Sequence, residues 1–321
     1  MSDSPRRYRS LENIGLPSRQ AFALDRPLRI VSWNLQYCGG RQGVFFYDGG
    51  RRVRVPSADQ DRAFAGIIEV LRRLDADVLI LQELDRCSAR TDRVDQLARL
   101  CQAVPGYAAV STPIHRNHFV PHPWWHPLGR VDFHLATLAR VRPETPRRVS
   151  LPLLRESPLV QHFNLHRALL TTELPLADGR RFAVGNTHLS AFSGGDDTLS
   201  RQMVEVQRWY EDAGPLALLA GDLNLLPPGD DPARLGKDGG DHPRERPEID
   251  AFFARHQSAL DPTAQRAPLA GTYLPPGSDR PDRTLDWVFS GIGWEVSAAW
   301  VEPVDPLVSD HWPIVAELKL R

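Results

Sequence analysis

The chain has 321 residues, of which 41% are hydrophobic, and its formal net charge is −1. This length and composition are compatible with one large α/β domain, or two small ones, around a real hydrophobic core. A near-neutral charge argues against a protein that binds nucleic acid through bulk electrostatics, although it leaves room for a local basic groove.

The cysteines and the N-terminal sequence bear on the cellular compartment. Cys38, Cys87 and Cys101 do not make a disulfide framework, because an odd count leaves at least one thiol without an intramolecular partner. The N-terminus lacks the apolar core of a secretion signal, and no apolar run approaches the roughly 18 residues that span a bilayer. We therefore expect reduced cysteines, no transmembrane segment and a soluble, cytoplasmic protein, whose oligomeric state the sequence leaves unknown.

Residues 1–26 carry charge and proline with little periodicity, so we expect an N-terminal arm that lies over the rest of the chain or is flexible. The remainder, residues 27–321, is expected to form a single domain. Its first predicted strand runs from Leu28 to Leu35. Alternation along this strand puts Asn34 and Gln36 on one face, which we expect to point toward a site.

The next stretch, residues 37–56, is rich in glycine. Asp48-Gly49 stands between the aromatic run Phe45 to Tyr47 and a β-branched segment, and this pattern predicts a β-hairpin. Such a hairpin could stack on a base or dip into a lipid surface, which would give a peripheral membrane contact. The alternative is that it covers an edge of the core.

Two helices and a buried strand follow. Residues 57–60 match a capping box, and apolar residues from Phe64 to Leu74 recur at helical spacing. Residues 77–82 predict a buried strand that delivers Glu83 at its end. Apolar residues from Val94 to Cys101 mark a second helix, whose spacing makes this cysteine a core residue rather than a nucleophile.

Residues 115–134 are rich in histidine and tryptophan. Prolines at positions 121, 123 and 127 predict an irregular loop. A zinc site is disfavoured, because neither a cysteine nor a helix with paired histidines accompanies the cluster. We interpret this stretch as a loop that contacts substrate.

The second half of the chain alternates predicted strands with helices and loops. These are the paired strands 166–174 and 180–188, a third helix opening at 194–197, a buried strand at 216–220, a long loop at 227–247, a short helix from 249, and strands at 284–289 and 314–320. The buried strand ends in Gly221-Asp222-Leu223-Asn224. Because side chains alternate along an extended chain, Asp222 and Asn224 point to the same side at the edge of a core.

Six short motifs follow one another at the ends of these elements. They are Trp33-Asn34, Gln82-Glu83, Thr187-His188, Gly221-Asp222-Leu223-Asn224, Asp286 before Trp287, and Ser309-Asp310-His311. In this order they resemble the endonuclease/exonuclease/phosphatase superfamily, metal-dependent phosphoesterases related to DNase I and AP endonucleases, over about residues 28–320. The resemblance implies a DNase I-like, four-layered α/β/β/α sandwich, in which two mostly antiparallel sheets face each other and helices lie outside.

The resemblance implies that Asn34, Glu83 and Asp310 hold a metal ion. The sequence would bring four carboxylates together: Glu83, Asp222, Asp286 and Asp310. They would repel one another by several kcal/mol unless a cation lay among them. Hard divalent ions prefer carboxylate oxygens, so we expect Mg²⁺ or Mn²⁺, and the number of ions stays open.

The remaining motif residues would act on the substrate. By resemblance, Asp222 orients or deprotonates the attacking water, while Asn224 and His188 donate to phosphate oxygens. Asp286 holds His311, which stabilises transition-state charge or accepts a proton. The sequence leaves open whether His311 or Asp222 is the general base.

The interpretation favoured by these residues is a divalent-metal-dependent phosphoesterase that hydrolyses phosphodiester bonds. Its substrate would be nucleic acid or a phospholipid or sphingolipid headgroup. One alternative is a phosphomonoesterase with a tighter pocket for an inositol phosphate or a similar small molecule. Another is a catalytically silent binding module, against which the intact set of motif residues argues.

Overall fold

The structure of the protein, a computed structural model, describes residue 11 and residues 13–191, 196–242, 246–266 and 271–321. The strands in these ranges are β1 (Leu28–Asn34), β2 (Val78–Asp85), β3 (Ala108–Val120), β4 (Gly129–Ala139), β5 (Glu144–Ser150), β6 (Ala168–Pro175), β7 (Arg181–His188), β8 (Leu218–Asp222), β9 (Gln257–Ser258), β10 (Asp286–Ser290), β11 (Trp294–Val301) and β12 (Ile314–Leu320). The α-helices there are α1 (Ser57–Leu74), α2 (Gln96–Ala103), α3 (Pro158–Phe163), α4 (Thr198–Asp212) and α5 (Pro247–Arg255).

These strands form two six-stranded sheets that face each other. The first sheet has the order β11-β12-β1-β2-β4-β3, and the second has the order β5-β6-β7-β8-β10-β9. The pairs β1–β2 and β7–β8 are parallel, whereas the other neighbours are antiparallel. Apolar faces of α1 and α2 cover the first sheet, and those of α4 and α5 cover the second. This arrangement confirms the predicted four-layered sandwich.

The predicted helices form where apolar residues recur at helical spacing. In α1, Phe64, Ile67 and Leu71 are buried against the outer face of the first sheet. The predicted capping box is wrong, because Pro56 is the N-cap of α1 and no side chain caps the helix. In α2, Asp95 accepts a hydrogen bond from the backbone N of Ala98 and provides the cap instead.

The β-hairpin predicted around Asp48-Gly49 is wrong. Residues 46–48 form one 3-10 turn, and Phe45 makes an isolated parallel bridge with Arg52. The physical reason is burial: Phe45 is 1% exposed and packs edge-on against Tyr37, with ring centroids 5.0 Å apart. Phe45 therefore covers an edge of the core, as the alternative interpretation held, and is too deeply buried to contact a membrane.

The irregular loop predicted at residues 115–134 is also wrong. β3 and β4 form a long antiparallel hairpin, and only residues 121–128 at its tip lie outside the two strands. Register shifts along the pair absorb the irregular sequence. Val120, Val131 and Phe133 hold this hairpin in a separate apolar cluster with residues of β6.

The N-terminal arm is described in part, since residues 1–10 and residue 12 lie outside the described residues. Ile14 pairs with Ala109 of β3, and Phe22 pairs with Leu176 beyond β6 and is fully buried. Residues 194–195, where the sequence places the start of the third helix, are also outside the described residues, and α4 begins at Thr198. Over the described ranges, no helix has the length and apolarity that a membrane crossing requires.

Candidate active site

The strand register brings the motif residues to one edge of the sandwich. His188 of β7 is the register partner of Asp222 of β8, which in turn faces Asp286 of β10. In the opposite sheet, β1 ends at Asn34 beside β2, and Glu83 follows one position beyond that pairing. Because parallel neighbours end at the same edge, side chains distant in sequence meet there.

The backbone at this edge is unusual at three positions. The pairing of β2 with β4 shifts register around Glu83, which takes a left-handed φ of +59°, and Asn224 has a φ of +53°. A left-handed conformation costs about 1–2 kcal/mol per residue, so it persists where the surroundings fix it. Gly221 has a φ of +147°, and a Cβ there would lie 1.9 Å from the carbonyl oxygen of Thr187. Only glycine therefore lets β7 and β8 approach this closely.

Two hydrogen bonds cross between the sheets at the site. The Nδ2 of Asn34 donates to Oδ2 of Asp222 at 3.0 Å, and the Nδ1 of His311 donates to Oδ2 of Asp286 at 2.7 Å. Asn34 and His311 border the first sheet, whereas the two aspartates belong to the second. The backbone N of Asn224 donates to the other oxygen of Asp222 at 3.1 Å. Both oxygens of Asp222 are therefore held in place.

Burial and mutual repulsion shift the protonation of this cluster. Burial alone would lower the pKa of His311, but the carboxylates of Asp286 and Asp222 raise it to about 10. Burial raises the pKa of Asp222 to about 7, with Asp286 adding to the rise and His311 opposing it. Burial likewise raises the pKa of Asp310 to about 6. With no metal bound, the site at neutral pH thus holds the imidazolium of His311 beside two carboxyl groups, Asp222 and Asp310, whose pKa values lie close to neutral.

His188 lies between two of the carboxylates. Its Nε2 is 3.4 Å from Oδ2 of Asp222, and its Nδ1 is 3.6 Å from Oε1 of Glu83. Burial lowers the pKa of His188 well below its usual value, and the charge of Arg167 lowers it further. The ring is therefore neutral at pH 7, and its buried Nδ1 has no hydrogen-bond partner within the described part of the chain.

The donor set fits a divalent cation. One ligand atom from each of Asp222, Asp286 and His311 lies within 4.8 Å of the other two. Burial raises the pKa of Glu83, and the charge of Asp222 contributes to the rise. The Oδ1 of Asp286 is buried and, among the described residues, accepts no hydrogen bond. An oxygen-rich cluster with such a free lone pair suits Mg²⁺ or Mn²⁺. The sequence predicted a different ligand set, Asn34, Glu83 and Asp310, which includes none of Asp222, Asp286 and His311. That ligand set stays a prediction.

Of these residues, Glu83, His188, Asp222, Asp310 and His311 line the floor of a cavity of about 1040 Å³. One side of the cavity, here called the apolar wall, is built by the 46–47 turn, the β3–β4 hairpin and α3 with the residues after it. Its members are Phe46, Tyr47, Val120, Leu128, Val131, Phe133, Val160, Phe163 and Leu165. The cavity therefore has a charged floor and an apolar side.

Sequence reasoning gave no role to Asp85 or Arg90, although both are buried beside this cavity. The Nε of Arg90 donates to Asp85 at 2.7 Å and its Nη2 donates at 3.0 Å. The guanidinium lies 3.8 Å from the ring centroid of Tyr37 and 4.5 Å from that of Phe133. No local motif announces this pair, because its partners meet only when β2, β4 and the loops between them have folded.

Solved structures share this fold. An endonuclease/exonuclease/phosphatase from Beutenbergia cavernae DSM 12333 matches with a TM-score of 0.64 and 23% identity, over 92% of this chain and 72% of that one. The catalytic domain of human Nocturnin, solved with a bound sulfate anion, matches with a TM-score of 0.59 and 18% identity, over 97% of both chains. A mannosyl-6-phosphatase from Bacteroides thetaiotaomicron VPI-5482 matches with a TM-score of 0.58 and 18% identity, over 91% of this chain and 99% of that one. A comparison with curated proteins found no match.

An α/β/β/α sandwich with a buried cluster of carboxylates and histidines at its strand ends defines a phosphoesterase scaffold. The model of the Endonuclease/Exonuclease/phosphatase family matches residues 31–311, so the chain belongs to that family. Members of this family are hydrolases that act on phosphoester bonds, typically with divalent metals.

Proposed function

We propose that residues 27–321 act as one catalytic domain and that the protein is a divalent-metal-dependent phosphodiesterase. The observation that carries this proposal is a set of carboxylates and histidines that line one cavity of about 1040 Å³: Glu83, Asp222, Asp310, His188 and His311. Burying several like charges together is unfavourable without a cation to offset them. The cavity is also larger than a single phosphate group requires, which favours a diester with groups on both sides.

In this proposal Asn34, Glu83 and Asp310 would hold Mg²⁺ or Mn²⁺, which would offset the charge of the carboxylates and supply Lewis-acid chemistry toward the phosphate. Asp222 accepts the proton of the attacking water. Hydrogen bonds from Asn34 and the backbone of Asn224 fix the orientation of its carboxylate. Burial raises its pKa to about 7 when no metal is bound, and a cation in the cluster would lower it, so the carboxylate is ionised and can act as a general base at neutral pH.

His311 has a different part in the proposed reaction. Without a metal, the carboxylates of Asp286 and Asp222 raise its pKa to about 10, and Asp286 stays hydrogen-bonded to the ring, so we assign His311 as an imidazolium that stabilises the negative charge of the pentacoordinate state rather than accepting the proton of water. Asp286 fixes the orientation of the ring through Nδ1. Neutral His188 and the amide of Asn224 donate to phosphate oxygens. One amide hydrogen of Asn224 is used by the carbonyl of Leu189, which leaves the second for the substrate.

The surroundings of the cavity favour a phospholipid or sphingolipid headgroup as substrate. Large apolar side chains are exposed on the segments that line the cavity, namely the 46–48 turn, the β3–β4 hairpin and α3: Tyr47, Phe119, Trp124, Trp125, Leu159 and Val160. Exposed tryptophan and tyrosine beside aliphatic residues are typical of surfaces that meet lipid.

Nucleic acid is less favoured as substrate, because nucleic-acid binding depends on cations that contact phosphates on either side of the scissile one. The two arginines of the β3–β4 hairpin, Arg116 and Arg130, both pair with Asp132. The proposed lipid contact thus lies at the hairpin tip and α3 rather than at Phe45.

The test compares bis-p-nitrophenyl phosphate with p-nitrophenyl phosphate, each with Mg²⁺ and with EDTA. We expect turnover of the diester that EDTA and Asp222→Asn abolish, while the exposed control Asp61→Asn keeps wild-type activity. A preference for the monoester would indicate the phosphomonoesterase instead. No turnover of either compound by protein that still binds metal would indicate the binding module.

The substrate class is tested with sphingomyelin and phosphatidylcholine vesicles against plasmid, abasic duplex and RNA. We expect vesicle hydrolysis to fall in the double variant Trp124→Ala/Trp125→Ala, with turnover of the soluble diester unchanged. Faster hydrolysis of a nucleic acid than of either lipid would contradict the lipid assignment.

A further inference from the structure

Arg167 is a buried cation that the proposed mechanism does not use. It directly precedes β6, lines the cavity and is 8% exposed. Its backbone is fixed, since its carbonyl accepts a hydrogen bond from the backbone N of Leu151 at 3.0 Å. The side chain is therefore the only part of the residue that can adapt to a ligand.

The guanidinium of Arg167 lacks a partner in the described part of the chain. Its Nη1 is buried without a hydrogen bond to any described residue, although the carboxylates of Glu83 and Asp222 act on its charge without contacting it. Arg90, at the same exposure of 8%, instead donates two hydrogen bonds to the carboxylate of Asp85. Buried charges are normally paired, so an unpaired guanidinium beside a cavity indicates an anion that arrives from solution.

The charge of Arg167 reaches the catalytic floor. Burial lowers its pKa to about 10, while the carboxylates of Glu83 and Asp222 oppose that fall, and Arg167 in turn lowers the pKa of His188. The group nevertheless stays charged at neutral pH. Its charge interacts with Glu83, Asp222 and His188, which surround the reacting phosphate in the proposed mechanism.

We propose that Arg167 binds the non-bridging oxygens of the scissile phosphate. A guanidinium offers a planar fork of donors that matches two phosphoryl oxygens, which a point charge cannot reproduce. Both substrate and transition state carry negative charge on these oxygens, so Arg167 contributes to binding and to catalysis. This inference rests on the proposed function, because it assigns the anion as a phosphate ester at the same site.

The test measures binding of inorganic phosphate to the Mg²⁺-loaded protein by calorimetry, alongside KM and kcat for bis-p-nitrophenyl phosphate. We expect Arg167→Met to weaken phosphate binding roughly 10- to 100-fold, as expected for loss of hydrogen bonds to a charged group. The phosphate affinity of Arg167→Lys should lie between those of the wild type and Arg167→Met. Arg208→Met, at an exposed position on α4, should bind phosphate like the wild type. Arg208→Met should also bind Mg²⁺ like the wild type, whereas Arg167→Met should bind Mg²⁺ at least as tightly as the wild type, because it lacks a positive charge near Glu83.

Thermal unfolding separates a binding role from a structural one. Since Arg167 is unpaired, Arg167→Met should unfold at the wild-type temperature or above it, whereas loss of a structural arginine would lower that temperature. In Arg167→Ala, added guanidinium ion should restore part of kcat/KM. Wild-type phosphate affinity in Arg167→Met, or a large fall in its unfolding temperature with no rescue of Arg167→Ala, would overturn the inference.

The two proposals fail in different ways. If the wild type hydrolyses phosphodiesters and Arg167→Met leaves phosphate affinity and KM unchanged, the inference is wrong and the proposed function stands. If the wild type hydrolyses nothing yet binds phosphate through Arg167, the proposed function is wrong and the anion site stands.

Discussion

Removing the carboxylate of Asp85 should destabilise the protein strongly. Asp85 is fully buried, and it accepts two hydrogen bonds from Arg90 and one each from Ser88 and Thr91. Asp85→Ala would leave the guanidinium of Arg90 buried without its counter-ion. Breaking one side of a buried ion pair costs about 3–5 kcal/mol, so we expect the free energy of unfolding to fall by about that amount.

The measurement is urea unfolding followed by tryptophan fluorescence, with the free energy extrapolated to water. The double variant Asp85→Leu/Arg90→Met removes both charges, and replacing a whole buried pair by apolar residues is often neutral, so it should recover most of the loss. Asp61→Ala, which removes an exposed partner of Arg99, serves as the surface control and should leave the midpoint unchanged. A loss below about 1 kcal/mol in Asp85→Ala, or a double variant no more stable than the single one, would refute the reasoning.

Three further results are expected. Asp286→Asn should lower kcat for bis-p-nitrophenyl phosphate about 10²–10⁴-fold, because His311 loses the carboxylate that orients it; an unchanged kcat would remove Asp286 from the mechanism. In EDTA, the unfolding temperature should fall between pH 7 and pH 9. The folded-state pKa of His311, about 10, lies above its ordinary value of 6.5, so the stability it contributes is complete below pH 6.5 and is lost as the pH rises toward 10. His311→Gln should reduce that pH dependence, and an equal slope in both proteins would argue against it. Gly221→Ala should destabilise the fold by more than about 1 kcal/mol in urea unfolding, because the new Cβ would meet the carbonyl oxygen of Thr187. A midpoint equal to the wild type would show that β7 and β8 can separate without cost.

Local patterns predicted the regular elements well where burial follows the local alternation. The last strand was predicted at residues 314–320, and β12 has those bounds. The strands 166–174 and 180–188 pair as β6 and β7, because turn residues separate two apolar runs. In these segments the sequence pattern and the tertiary environment favour the same structure.

The β3–β4 hairpin could not be predicted in this way. Its polar and aromatic residues and its prolines resemble a loop, whereas the strands are stabilised by pairing with each other and by Val120, Val131 and Phe133 beneath them. The hairpin predicted around Asp48-Gly49 was wrong for a related reason, because the burial of Phe45 outweighed the turn preference of these two residues. Contacts distant in sequence decided the conformation in both places.

The candidate site was recognised through its motif order, and the structure brings those residues to one edge of the sandwich. Arg90 and Arg167 were missed, because nothing in their neighbourhood along the chain shows that they are buried. The only local signal for such a residue is that it stands next to an apolar strand. That position indicates burial only once the packing of the two sheets is known.

The hydrogen bonds from Asn34 to Asp222 and from His311 to Asp286 span the two halves of the sandwich. Neither half on its own possesses a complete set of reacting groups. During refolding, enzymatic turnover should consequently return only at the last step, when both layers have docked in their final alignment, and later than the recovery of secondary structure. A small sliding of one layer over the other would pull apart both bonds at once, which makes catalysis a sensitive reporter of how the two layers are aligned.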